Sequence, residues 1–125
     1  MSHSFDPRDF LAFAQTLLDQ SLKEVHFRTA ISRAYYAAYL VAFQKARYRY
    51  SALWKKAFNE KEGYHVALQV TFSDANQGEI SDKLSGLWGE RKAADYELGE
   101  DIDFERAKDA IELGKDLIQL IESDP

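Results

Sequence analysis

The 125-residue sequence contains no cysteine, which excludes disulfide frameworks, thiolate metal sites and cysteine nucleophiles. It has no apolar run approaching the roughly 18 residues that a membrane-spanning helix requires. The N-terminal residues show no basic segment followed by an apolar core, so they do not resemble a secretory signal peptide. We therefore expect a cytoplasmic protein with no membrane segment.

Signs of the common catalytic and cofactor sites are also missing. The histidines His3, His26 and His65 are scattered, without the spacing of a metal site. No glycine-rich phosphate loop occurs, and no serine lies in the context of a nucleophile elbow. We therefore expect neither a metal nor a cofactor.

What the sequence does contain is typical of one globular domain covering residues 1–125. Hydrophobic residues make up 46% and charged residues 30%, which argues against disorder. The net charge of −5 is spread unevenly, because residues 45–61 carry six bases and one acid, whereas residues 97–125 carry ten acids and three bases. This asymmetry indicates either a local anion site or two differently charged solvated faces. Residues 45–50 interleave bases with aromatic rings, as an RNA-binding surface does, although the same rings are equally suited to packing near a helix end.

Hydrophobic periodicity predicts an all-α fold, an antiparallel bundle of about five helices. The first helix follows an Asp6 cap and Pro7, with Phe5 and Phe10 placed as a hydrophobic staple, and ends near residue 20. The second, about 23–48, is apolar on nearly every side, which predicts a central helix with one face in the bundle and another in a dimer. The others cover about 64–74, 79–96 and 103–123, the last with Asp101 or Asp103 as its cap. Residues 49–63 are less regular, with a possible helical stretch at 53–58.

Two polar residues fall on the apolar face of the helix predicted over 79–96. Extending the stripe Ile80, Leu84, Leu87 by helical steps reaches Arg91 and then Asp95. Residues four apart can pair on one face, and this pair should be partly buried. One interpretation is an ion pair that locks the bundle. The other is a functional site, and the same two interpretations apply to Arg33 on the central helix, either in a cross-helix pair with Asp95 or as a ligand-binding group.

Two segments together resemble prokaryotic HEPN-domain proteins. Residues 28–39, RTAISRAYYAAY, are similar to the second-helix signature of that family, and residues 87–96, LWGERKAADY, are similar to its fourth-helix segment. The resemblance extends over most of the chain, from about residue 10 to residue 121. It implies a four-helix up-and-down core that dimerises through its central helices.

The resemblance also implies functions. Many HEPN proteins are metal-independent ribonucleases, often toxins encoded beside a nucleotidyltransferase antitoxin, and others are non-catalytic binding partners. The ribonuclease motif is an arginine, four to six residues and a histidine. Arg91 matches the arginine, but the histidine positions hold Tyr96, Glu97 and Leu98. Because histidine is the side chain that exchanges protons near neutral pH, the family's usual mechanism is not supported.

We therefore expect a HEPN-like homodimer that binds a nucleotide or an RNA phosphate, as an accessory module of a toxin–antitoxin or nucleotidyltransferase-associated system. The expected polar cleft consists of Arg33, Arg91, Asp95 and Tyr96, lined by Tyr36 and Ser32. One alternative is a ribonuclease with a divergent site in which Arg91, Asp95 and Tyr96 are catalytic. A second alternative is a purely structural dimerisation domain.

Overall fold

The computed structural model describes residues 5–20, 23–60 and 63–125. These residues form six helices: α1 (Arg8–Gln20), α2 (Glu24–Arg49), α3 (Ser51–Glu60), α4 (Tyr64–Asp74), α5 (Gly78–Tyr96) and α6 (Phe104–Ser123). No strand occurs in the described ranges, so the prediction of an all-α protein is confirmed. None of the helices described is both long and apolar enough to cross a membrane.

The expected count of about five helices falls one short, because the segment 49–63 contains a complete helix. Helix α2 ends at Arg49, where Tyr50 leaves helical geometry, and α3 begins at the next residue. The carbonyl of Tyr50 accepts the amide of Trp54 at 2.8 Å, which starts the new helix. Trp54 and Ala57, three residues apart, are the buried positions of α3. Two buried residues one helical turn apart form too short a pattern to predict where this helix begins and ends.

The capping predictions are confirmed at α1 and α6. The Asp6 carboxylate accepts the amide of Arg8 at 3.0 Å, and the rings of Phe5 and Phe10 lie 4.9 Å apart, as in a hydrophobic staple. At α6, Asp103 accepts the amide of Arg106 at 2.9 Å. Each cap satisfies a backbone donor that the helix leaves open.

Helix α2 is the central helix, as predicted, and packs against all five others. Small residues allow close approach along it, since Ala30, Ala34, Ala38 and Ala42 are fully buried. The approach to α6 is close, since a Cβ placed on Gly114 would lie 3.4 Å from the carbonyl oxygen of Ala34. A side chain larger than alanine at 114 would push the two helices apart.

Contacts at the helix ends give the helix directions. The side chain of Glu24 accepts the amide of Ile102 at one end of α2, and Lys45 binds the carbonyl of Asp124 at the other, so α2 and α6 run in the same direction. Arg28, near the start of α2, reaches carbonyls at the end of α5, which therefore runs in the opposite direction. Arg8 at the start of α1 pairs with Glu122 near the end of α6. The four long helices thus alternate in direction along the chain.

The basic and aromatic stretch 45–50 is divided between two roles. The ring of Tyr50 packs on Phe72, and its hydroxyl donates to the Asp124 carboxylate at 2.5 Å, so this tyrosine is a packing residue. Burial raises its pKa, with a further contribution from Asp124. Tyr48, in contrast, is exposed.

Candidate functional site

Arg91 and Asp95 form the ion pair that the helical spacing predicts. Arg91 Nε lies 2.8 Å from Asp95 Oδ2, and the two side chains are 15% and 26% exposed. The pair is therefore partly buried, and one side of it remains open to solvent. The second guanidinium contact is to α2, where Arg91 Nη2 donates to the hydroxyl oxygen of Tyr36 at 3.0 Å.

Arg33 lies beside this pair but does not form the direct ion pair with Asp95 that one interpretation predicts. Its Nη2 donates to Ser32 Oγ at 3.4 Å, and Ser32 Oγ donates to Asp95 Oδ2 at 3.5 Å. Both distances are at the weak end of hydrogen bonding. Within the described residues, the buried Nε of Arg33 has no hydrogen-bond partner, whereas the Nε of Arg91 is engaged by the Asp95 carboxylate.

Each of the two guanidinium groups lies within cation–π distance of two aromatic rings. The Arg33 guanidinium lies 5.4 Å from the centre of the Phe10 ring and 5.3 Å from that of Tyr36. The Arg91 guanidinium lies 5.3 Å from the centre of Tyr36 and 5.5 Å from that of Tyr96. Both arginines therefore share the Tyr36 ring as a neighbour, and this contact is favourable for a cation.

The six residues singled out from the sequence are thus brought together: Ser32, Arg33, Tyr36, Arg91, Asp95 and Tyr96. Two helices supply them, α2 the first three and α5 the last three. Tyr96 is the most open, at 68% exposed. The charges are two guanidinium groups and one carboxylate, and Lys92 adds a further cation next to Arg91 in the chain, over the ring of Trp88. The site is locally cationic on a protein of net negative charge.

His65 belongs to the surroundings of this site, although its position in the sequence does not indicate this. Its Nδ1 is hydrogen-bonded to the Tyr35 hydroxyl. Its ring stacks on Trp88 at 5.5 Å and 11°, one helical turn before Arg91, and lies 4.9 Å from the ring of Tyr39. Burial lowers the pKa of His65, and the positive charge of Arg91 lowers it further. Burial and the charge of Arg91 therefore favour the neutral form of this histidine.

Arg28 holds the end of α5 in place. It donates to the carbonyls of Ala93, Ala94, Glu97 and Glu100 at 2.7–3.2 Å. The carbonyls of Ala94 and Glu100 are of the kind that a helix C-terminus and the turn after it leave open, whereas those of Ala93 and Glu97 also accept backbone amides. The role of Arg28 could not be predicted from the sequence, because its carbonyl partners lie nearly seventy residues further along the chain.

The donor atoms of this region do not suggest a metal centre. In the part of the chain that the structure describes, no cluster of three or more His, Asp or Glu side chains is arranged to hold a metal ion. No family model, curated protein or solved structure matches this chain.

Proposed function

We propose that this protein binds a nucleotide or an RNA phosphate through Arg33 and Arg91. The observation that carries the proposal is that both guanidinium groups lie within 5.3 Å of the centre of the Tyr36 ring, while a single carboxylate, Asp95, pairs with Arg91. Arginine binds phosphate through pairs of N–H donors, and Arg33 has the less engaged donors of the two. Two cations and one anion leave a net positive charge for the ligand.

The Nε of Arg33, which has no partner among the described residues, supports a ligand role over a purely structural one. A buried polar group without a partner costs free energy, and a bound ligand would supply that partner. The exposed ring of Tyr96 beside Arg91 is suited to stacking on a base. The purely structural dimer remains the competing interpretation.

By its resemblance to HEPN proteins, we propose that the protein acts as a homodimeric accessory module of a toxin–antitoxin or nucleotidyltransferase-associated system. Analytical ultracentrifugation of the purified chain tests the proposed homodimer. The expected result is a sedimenting mass twice that of the monomer. Co-purification with a nucleotidyltransferase encoded beside it tests the partner. A monomer with no such partner contradicts this setting and leaves the binding site itself unaffected.

Removing either arginine should weaken phosphate binding. We expect Arg91→Ala and Arg33→Ala each to reduce affinity for uridine monophosphate about tenfold to hundredfold, because each loses charge-assisted hydrogen bonds worth roughly 1.5–3 kcal/mol. Isothermal titration calorimetry measures this. Arg8→Ala is the matched control, since Arg8 is an exposed arginine at the start of α1. If both variants bind the nucleotide as the unmodified protein does and only melt earlier, the arginines are structural.

A metal-independent ribonuclease is the second candidate, and the position of His65 favours it. The expected alternative relied on Arg91, Asp95 and Tyr96 and lacked a side chain suited to proton transfer near neutral pH. A neutral histidine held close to Arg91 supplies such a group. Arg91 would stabilise the charge that develops on the phosphate.

If the protein cleaves RNA, His65→Asn should reduce the rate about 10²- to 10⁴-fold while nucleotide affinity stays unchanged. His26→Asn, a histidine on the central helix, is the control. Because the pKa of His65 is lowered, the activity that depends on neutral histidine should persist at pH values below its usual 6.5. The assay is RNA cleavage with a chelator present. No cleavage by the unmodified protein, or full cleavage by His65→Asn, rules this candidate out.

A further inference from the structure

A row of touching aromatic rings leads away from the two arginines towards α3. Tyr36 contacts Tyr39 at 6.2 Å, Tyr39 contacts Phe43 at 6.0 Å, and Phe43 contacts Tyr64 at 6.1 Å between ring centres. Tyr64 then contacts Phe58 at 5.1 Å. We call these five residues the aromatic ridge. It links α2, α4 and α3 and begins at the ring that both guanidinium groups share.

The far end of the ridge is open to solvent. Phe58 is 42% and Tyr64 is 48% exposed, and Tyr36, Tyr39 and Phe43 are partly exposed. Both exposed rings and Phe43 contact the buried Trp54. Large rings left in water beside a buried one indicate a surface with a partner.

Cations accompany the ridge. The Arg47 guanidinium lies 5.4 Å from the centre of the Phe43 ring, and Lys55 and Lys56 are exposed on α3. Glu60 is the one acidic residue among the described residues 45–60. Lys45 and Arg49 are excluded from this group, because they bind the carbonyls of Asp124 and Pro125. Arg47 therefore lies beside the ridge, and Lys55 and Lys56 are further exposed cations on the helix that carries Phe58.

We propose that the aromatic ridge extends the phosphate site into a binding surface for single-stranded RNA. Bases stack on Phe58 and Tyr64, while Arg47, Lys55 and Lys56 contact phosphates of the same strand. Unpaired bases are required, because a duplex buries the base faces that stack on aromatic side chains. The inference rests on the proposed phosphate site and adds the class of ligand, a strand of several nucleotides in place of a single nucleotide.

Oligonucleotide length provides the test. Affinities for uridine monophosphate and for oligouridylates of up to about eight nucleotides, within the usual site size, are measured by competition against a labelled strand. The unmodified protein should bind tighter as the strand lengthens. Phe58→Ala and Tyr64→Ala should each reduce the affinity for the longest strand about tenfold and leave the affinity for the mononucleotide unchanged. Phe13→Ala, which removes another exposed ring, is the control.

A second pair of variants covers the possibility that the aromatic variants fold poorly. Lys55→Glu combined with Lys56→Glu should weaken binding of the long strand and reduce its salt dependence, whereas Lys108→Glu should not. If affinity does not grow with strand length, or if the long strand binds these variants as it binds the unmodified protein, the inference is wrong. Equal affinity for a double-stranded competitor also overturns it.

These outcomes separate the inference from the proposed function. Loss of mononucleotide binding in Arg91→Ala without any dependence on strand length keeps the phosphate site and refutes the ridge. Unchanged mononucleotide binding in Arg91→Ala and Arg33→Ala refutes the phosphate site, on which the ridge depends.

Discussion

At the scale of single residues, Asp95 decides how strongly Arg91 can attract an anion. The carboxylate lies 2.8 Å from Arg91 Nε, so a bound phosphate must compete with it for the same guanidinium. The pair is neither fully buried nor fully exposed. If the ion pair only holds the helices together, Asp95 contributes mainly to the free energy of unfolding. If the pair is part of a binding site, Asp95 mainly lowers the affinity of Arg91 for an anion.

Asp95→Asn separates these roles. In a binding site, removing the negative charge should raise the affinity for uridine monophosphate about threefold to tenfold, because repulsion of the ligand disappears. The free energy of unfolding should fall by no more than about 1 kcal/mol, as for a solvent-accessible ion pair. Calorimetric titration and urea denaturation measure the two quantities. A loss of several kcal/mol with unchanged affinity would assign the pair to the structural lock.

The residues themselves show which parts of the site the sequence can reveal. Arg91 and Asp95 were predicted as a partly buried pair because the helical step carries the apolar stripe of Ile80, Leu84 and Leu87 onto them, and the pairing is confirmed. The direct Arg33–Asp95 pair was not found, because Ser32 lies between the two groups. His65 could not be predicted, since only the packing of α4 on α2 and α5 brings it near Arg91.

At the scale of helices, the position of the site depends on how α5 ends. Arg28 binds four carbonyls in the segment 93–100, immediately after Arg91 and around Asp95 and Tyr96. A single planar cation thus fixes the last turn of α5 against the start of α2. Lysine has the same charge but is a compact point charge that cannot reach four acceptors at once.

Arg28→Ala should therefore lower the free energy of unfolding by about 1.5–3 kcal/mol, because the partly buried carbonyls of Ala93 and Ala94 lose a charged donor. Arg28→Lys should recover only part of this loss. Denaturant unfolding of both variants beside Arg8→Ala provides the measurement, with the exposed Arg8 expected to cost less than about 1 kcal/mol. A loss in Arg28→Ala no larger than that of the control would show that water replaces the arginine at the end of α5.

Helix prediction succeeds where periodicity is long and fails where it is short. The predicted bounds of α6 lie within one residue of the observed ones, because apolar or small residues recur at three- and four-residue steps from Phe104 to Ile121 and Asp103 caps the helix. Helix α3 was only partly anticipated, because its buried face consists of little more than Trp54 and Ala57. Its existence depends on packing against α4, which no local pattern records.

At the scale of the whole molecule, the acidic and basic segments of the sequence lie on different helices. The acids after residue 97 lie along α6 and the turn before it, whereas the arginine stack and the aromatic ridge lie on α2, α3, α4 and α5. An acidic protein can therefore present one cationic and aromatic surface. The all-α bundle and its central helix followed from the sequence, whereas this surface required the tertiary arrangement.

The central claim is that Arg33 and Arg91 together bind a phosphate. The most direct test is proton–nitrogen NMR of the arginine Nε–H groups during titration with uridine monophosphate. The Arg33 and Arg91 signals should shift together and saturate at one concentration, while the signals of Arg28 and Arg106, whose Nε–H groups are bonded to Glu24 and Glu90, should stay in place. If Arg33 and Arg91 do not shift while the nucleotide is bound, the phosphate lies elsewhere and the claim is wrong.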